Sequence, residues 1–332
     1  EPQRLNDPHH SMKQRRAVIF DCDPGVDDAV ALLLALAARD ELDLLGITTV
    51  AGNVSAALTA RNACLIRDIA DRSDVPVHAG AQRPLRREPV EAGHFHGESG
   101  LGDLPIGKPR EGVTPGHAVD FIATTLRSAI DTSRHVCIVI TGPMTNVALA
   151  LQRDPRLIEG VECFAIMGGA RSEGGNITAS SEYNIHADPD AAHYVFNAGP
   201  VVYAFGLDAT HQVRATPART TRIHALGSRS AVAAARLLEF SNALPANGPR
   251  EQGAPLHDPC PIAWLLAPQL FRFRPCHIDV EVDSPLTLGH TAVEFRASSE
   301  RAQNVQWAIE ADADGVFDLL ERYFAAGRSG KA

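Results

Sequence analysis

The 332-residue chain has six cysteines, Cys22, Cys64, Cys137, Cys163, Cys260 and Cys276, and no two of them form a C-x-x-C pair. That absence argues against a zinc site. Cys137 and Cys163 lie inside the apolar runs HVCIVI and VECFAIM, where a thiol serves as a small core group. A reducing, cytoplasmic compartment is therefore expected. No apolar stretch is long enough to span a bilayer, so no membrane partner is expected. The polar N-terminus lacks the apolar core of a secretory signal. Residues 1–12 read as a disordered leader or cloning remnant, with His9 and His10 outside the functional count, and residues 13–332 read as one working domain.

Positive charge is also scarce. The formal net charge is −9, which disfavours polyanions, and no basic stripe with interleaved aromatics argues for nucleic acid. Arg83, Arg86 and Arg87 fall in a Pro-rich stretch and read as a solvated loop. Neither the G-x-x-x-x-G-K-[ST] phosphate loop nor the G-x-G-x-x-G dinucleotide fingerprint occurs. Repeats, low-complexity tracts and linkers are missing as well.

Short apolar runs alternate with helical patterns. Strands are expected at Ala17–Asp21, Leu42–Val50, near Val77, and at His135–Thr141, Val161–Met167 and Val201–Phe205. Helices are expected at Val26–Ala38, Ser55–Arg72, His117–Ile130, Pro143–Leu151 and Pro189–Asn197. Further strands are expected at HIDVEV, TAVEFR and NVQWAIE, and a last helix at Val316–Ala326. Repeated β-α-β units predict a single α/β domain. It would have an open, mainly parallel, Rossmann-like sheet, helices on both faces, and a site at the carboxyl ends of the strands. Two irregular segments, Gly80–Thr114 and Ser241–Pro255, are candidate lids or binding loops.

The strongest signal is Asp21-Cys22-Asp23-Pro24-Gly25-Val26-Asp27-Asp28, with four carboxylates at a strand-to-helix turn. Two of them could complement the positive end of the helix, at about 0.3–1 kcal/mol each. That leaves Asp21 and Asp23 unexplained. Crowded anions need an offsetting cation. A hard divalent ion with oxygen ligands suits them, and calcium tolerates irregular carboxylate geometry better than magnesium.

The run DCDPGVDDAVALLLAL closely resembles the N-terminal signature of the inosine-uridine-preferring nucleoside hydrolases. VAGN, HGESGLG, TGPMTNVALAL, MGGA, EYNIHADPDAA and HDPC resemble further blocks of that family in the same order. The resemblance implies a ribonucleoside substrate and a calcium ion held by Asp23, Asp28, Asp258 and the main-chain carbonyl of Thr141. It implies that Asp23 is the general base and Asp21 a supporting group. Asp27, Asn53, Asn176, Glu182 and Asn184 become sugar contacts, with Met167 packed near the sugar. His257 becomes the group that assists base departure, and His96 a base-side contact on a loop. A homo-oligomer, dimer or tetramer, is implied too.

The chemistry agrees with these roles. Breaking a ribosyl–base bond builds positive charge on the sugar, which carboxylates can stabilise. A cation orients and acidifies the water, and a carboxylate takes its proton. Attack opposite the leaving base implies inversion. Groups that bind the 2′ and 3′ hydroxyls imply ribose over deoxyribose. The base pocket departs from the family, because Ser241–Pro255 has no aromatic residue. Stacking then falls to Tyr183, Phe95, Phe240 or another group, or is weak, and purine, pyrimidine and modified bases stay open. Gly289-His290-Thr291 stands where Arg-Gly-Thr is expected, with little consequence foreseen. Alternatives are a same-fold hydrolase of a modified riboside, or a silent nucleoside-binding protein.

Overall fold

A computed structural model describes residues 15–90, 92–105 and 107–326. The expectation for residues 1–12 lies outside them. The strands are β1 (Arg16–Cys22), β2 (Leu42–Thr49), β3 (Val77–Ala79), β4 (Val136–Ile140), β5 (Val161–Met167), β6 (Val201–Phe205), β7 (Arg214–Ala215), β8 (Ala254–Pro255), β9 (Phe271–Val280), β10 (Thr291–Glu294) and β11 (Val305–Ala311). The helices are α1 (Val26–Ala37), α2 (Ala56–Ile69), α3 (Gly93–His96), α4 (Ala118–Asp131), α5 (Thr145–Arg153), α6 (Tyr183–Ala187), α7 (Pro189–Phe196), α8 (Leu207–Thr210), α9 (Pro217–Ala225), α10 (Arg229–Asn242), α11 (Pro259–Leu266) and α12 (Ala313–Ala326).

Nine strands form one sheet in the order β10-β9-β11-β6-β5-β4-β1-β2-β3, and of these only β9 runs against its neighbours. β7 and β8 form a separate antiparallel ribbon. The central strands are apolar on both faces because helices cover both. Along β1, Val18, Phe20 and Cys22 enter one core while Ala17 and Ile19 enter the other. The first core is closed by α1, α2, α10, α11 and α12, the second by α4, α5 and α7. Each large side chain buried this way contributes about 1.5–3 kcal/mol.

Helix α1 is apolar around nearly its whole circumference, which marks a helix enclosed on all sides. It packs against α2, α10, α11 and α12. That enclosure fixes its first turn, where the acidic run sits. β1 lies between β2 and β4, so the strand order reverses there. Sheets of this kind bind ligands in the crevice outside the carboxyl ends of the strands at such a reversal. Asp21–Asp28 leaves β1 and Thr141 leaves β4 at that crevice.

Candidate active site

Asp21 and Asp23 are both fully buried. Asp21 Oδ1 accepts hydrogen bonds from the Thr48 hydroxyl (2.6 Å) and Asn146 Nδ2 (2.8 Å). Burial outweighs both bonds and lifts its carboxyl to about 7. These contacts tie β1 to β2 and α5, so Asp21 braces the turn from behind. Asp23 Oδ2 accepts the Asn53 main-chain N–H at 2.7 Å, while its Oδ1 is buried with no hydrogen-bond partner among the described residues. Gly52 and Gly142 press close around this carboxylate. A Cβ on Gly52 would stand 2.0 Å from Oδ2, and one on Gly142 would stand 2.6 Å from Oδ1.

Asp28 has two duties. Its Oδ2 accepts Gly25 N (3.1 Å), capping α1, and Asn53 Nδ2 (3.0 Å). Its Oδ1 accepts the Thr141 hydroxyl at 2.7 Å. Helix capping thus accounts for part of Asp28 but not for the rest of the cluster. Carboxylate oxygens of Asp27, Asp28 and Asp258 lie within 4.8 Å of one another. The resemblance names Asp23 where this tight trio has Asp27. Asp23 joins the trio electrostatically, since burial first, then Asp28 and Asp27, hold its carboxyl far above the usual range. Burial, then Asp27 and its other acidic neighbours, does the same to Asp258. Asp28 is lifted to about 7 by burial and by Asp27.

The donor set therefore fits a divalent cation on this structure's own terms. It is all oxygen and anionic, and it includes a buried carboxylate oxygen without a partner. Thr141 contributes a carbonyl at the same crevice, already accepting Asn184 Nδ2 at 2.8 Å with one lone pair to spare.

Glu182 is the N-cap of α6 and is buried. It accepts three main-chain N–H groups, from Asn184 (3.0 Å), Gly169 (3.0 Å) and Ile185 (3.3 Å). Burial still dominates and raises its carboxyl to about 7. Asn184 also reaches the Met167 carbonyl (3.1 Å) and sulfur (3.4 Å), which joins the ends of β4 and β5. Asn176 Oδ1 accepts Tyr183 N at 2.9 Å.

Above the cluster opens a cavity of about 430 Å³. Ten of the ion, sugar and base contacts implied by the resemblance line it: Asp27, Asn53, His96, Thr141, Met167, Asn176, Glu182, Asn184, His257 and Asp258. Asp23 and Asp28 lie beneath. Both irregular segments contribute walls, Ala92, Phe95 and His96 from one and Ser241, Leu244, Ala246, Asn247 and Pro255 from the other. Of the stacking candidates, Phe95 and Tyr183 line the cavity. Phe240 does not; its ring packs beside Gly102. His96 Nδ1 accepts Val26 N at 3.0 Å, which fixes α3 to the start of α1. His257 Nδ1 meets the Thr210 hydroxyl at 2.8 Å. Burial lowers His257 to about 4, and neighbouring His211, His96 and Arg214 disfavour its charge further against the pull of Asp27. His211 and Arg214 line the cavity too and were not singled out from the sequence.

Residues 18–318 match the model of the inosine-uridine preferring nucleoside hydrolases. The chain belongs to that family. It is accordingly a nucleoside hydrolase, an N-glycosidase by reaction class. A pyrimidine-specific ribonucleoside hydrolase, RihA, from Salmonella agona is 41% identical over 307 residues, covering 91% of this chain and 96% of the relative. A Shewanella protein of the same name is 41% identical over 308 residues, covering 92% and 95%. Among solved structures, a plant nucleoside hydrolase, PpNRh1, superposes with a TM-score of 0.87 at 28% identity, covering 94% of this chain and all of that one. A purine-preferring ribonucleoside hydrolase from Gardnerella vaginalis gives a TM-score of 0.86 at 30% identity, covering 94% and 99%. Among the described residues, no helix is long and apolar enough to cross a membrane.

Proposed function

We propose that this nucleoside hydrolase cleaves the N-glycosidic bond of ribonucleosides in a calcium-dependent reaction, giving ribose and free base with inversion at the anomeric carbon. The observation that carries the reading is the Asp23 carboxylate. One of its oxygens is fixed by Asn53 N–H, and the other is buried without a partner among the described residues, near three more carboxylates. Such a group is oriented to take a proton from water.

Asp28, Asp258, Asp23 and the Thr141 carbonyl are the groups we assign to hold the cation, with Asp27 close enough to share it or to bind a ribose hydroxyl. Bound there, calcium would orient and acidify the attacking water. Asn53, Asn176, Glu182 and Asn184 would hold the sugar, and their carboxylate and amide oxygens would offset the positive charge that grows on the ring. Asn184 is braced by Thr141 and Met167, so it can position the sugar with little motion. His257, neutral at pH 7, would act on the base as a hydrogen-bond partner whose orientation Thr210 sets. Hydroxyl-binding groups in a buried site favour ribose over deoxyribose.

Identity favours a pyrimidine base, because the named relatives at 41% are pyrimidine-specific whereas the purine-preferring one stands at 30%. The second reading, a modified riboside, is favoured by the walls at Ser241–Pro255, which present no aromatic ring. The buried, unpaired cysteines support a reducing, cytoplasmic compartment, and the family supports a homo-oligomer.

The test is product analysis. The protein is incubated with uridine, cytidine, inosine, adenosine, guanosine and deoxyuridine, with calcium or excess chelator. Calcium-dependent release of base from ribonucleosides is expected, with little from deoxyuridine. No release from any of them would sink the reading.

A further inference from the structure

Two consecutive residues at the end of α8 serve the cavity in different ways. Thr210 engages His257. His211 lines the cavity itself, with its ring centroid 5.7 Å from that of His257. Its Nδ1 lies 2.8 Å from Glu173 Oε2. Glu173 belongs to the segment 171–181, which supplies Gly175, Asn176 and Ile177 to the same cavity. Asp208, also in α8, accepts the main-chain N–H groups of Arg171 and Ser172, both at 2.7 Å. The short helix and the segment are thus joined at Asp208 as well as at the Glu173–His211 pair.

A carboxylate on one imidazole nitrogen fixes the orientation and tautomer of the ring. With Nδ1 given to Glu173, Nε2 is the nitrogen left for a ligand in the cavity. His257 differs, because its Nδ1 partner is a neutral hydroxyl. The His211 side chain is 25% exposed and the Glu173 side chain 44%, so protons can be exchanged with solvent.

Resting on the reading of the site given above, we propose that His211, positioned by Glu173, delivers a proton to the departing base. Water adds its oxygen to C1′ and gives a proton to the Asp23 carboxylate. The C1′–N bond breaks, and its electron pair leaves with the base. His211 Nε2 passes its proton to the base and becomes neutral. Solvent then returns a proton to His211 and removes one from Asp23, so the net reaction is riboside plus water to ribose plus protonated base. His211 is the catalytic residue of this step and Glu173 a positioning residue.

The test compares leaving groups. Uridine and inosine lose a base that needs a proton, whereas 4-nitrophenyl riboside loses an anion that does not. His211→Gln is expected to lose at least about 100-fold in kcat on the nucleosides and less than about 3-fold on the nitrophenyl riboside. Glu173→Gln, at a half-exposed position that spares folding, is expected to show the same split at about 10-fold, and Glu173→Asp to recover most of it. Equal losses on both substrate types in these variants would reduce the pair to packing and overturn the proposal. Unchanged nucleoside turnover would overturn it as well. Failure of the unmodified protein to cleave any riboside, the nitrophenyl one included, would instead overturn the reading on which the proposal rests.

Discussion

Thr141 donates its hydroxyl to Asp28 Oδ1 at 2.7 Å, joining residues 113 positions apart across the point where the strand order reverses. The bond links the end of β4 to the first turn of α1. The Thr141 carbonyl at the same crevice accepts Asn184 Nδ2 at 2.8 Å and keeps one lone pair to spare. Thr141→Val keeps the carbonyl and removes the hydroxyl. A buried carboxylate that loses a partner costs about 1–3 kcal/mol. Loss of an outer-shell bond typically weakens metal binding about 10–100-fold. The variant is expected to melt lower and to need at least about 10-fold more calcium for half-maximal activity. Calcium titrations of activity alongside thermal melts check this, and an unchanged calcium requirement would contradict the assignment of Asp28.

Asp23→Asn keeps the shape of the side chain and can still accept Asn53 N–H. It removes the proposed base and one of several repelling carboxylates. A positioned acid or base contributes roughly 10²–10⁴-fold, so kcat should fall within that range. The melting temperature of metal-free protein should hold or rise, because burial and Asp28 already oppose the charge on Asp23. A fall in kcat with an equal fall in stability would mean that Asp23 serves the fold instead.

Gly52 offers a sharper test of geometry. An added Cβ would meet Asp23 Oδ2 at 2.0 Å and its Cγ at 2.8 Å, and that carboxylate is boxed in by Gly142 on its other side. Gly52→Ala should therefore push Asp23 out of register and cost at least about 100-fold in kcat, the scale of a misplaced catalytic group. Gly107→Ala is the control, since nothing lies within 4 Å of its added Cβ. Steady-state kinetics on both variants decide the matter, and a fully active Gly52→Ala would show that Asp23 has room to move.

Much of this architecture was legible because the residues that encode it are contiguous. Val161–Met167 and Val201–Phe205 coincide with β5 and β6, and Ala17–Asp21 falls inside β1, since strands covered on both faces read as unbroken apolar runs. The acidic turn was legible for the same reason. β9 starts at Phe271, six residues before the expected His277. Its first half alternates buried Phe271 with exposed Arg272 and Arg274, a half-covered strand whose period of two could have been read. The sequence pattern predicts no helix at α9, α10 or α11, and the segment expected to be irregular from Ser241 begins inside α10. At the cavity, the lining residues Asp27, Asn53, Glu182 and Asn184 all fall within the sequence motifs. His211 and Arg214 were missed because only tertiary folding turns them toward His257. Phe240 was misplaced because sequence proximity to the loop does not say which way a ring points.

The last prediction concerns proton linkage in the metal-free protein. Burial holds the carboxyls of Asp21, Asp28 and Glu182 near 7, against ordinary values of 3.8 and 4.5. Between about pH 4 and 7 the folded chain therefore keeps protons that the unfolded chain has released. Folded binding exceeds unfolded binding over that window, so stability must fall as pH rises through it, by up to about 1.4 kcal/mol per pH unit for each group. A cation held beside Asp28 would offset the charge of that carboxylate, stabilise the folded state by mass action and compete with its proton. Chelated protein should therefore melt several degrees lower at pH 8 than at pH 5, and calcium should raise the melting temperature strongly at pH 8 and weakly at pH 5. Thermal melts at the two pH values, with chelator or with calcium, check the sign directly. A chelated protein that grows more stable toward pH 8 would mean that the cluster is not strained by its own charge, and the physical case for a cation between Asp28 and Asp258 would lose its basis.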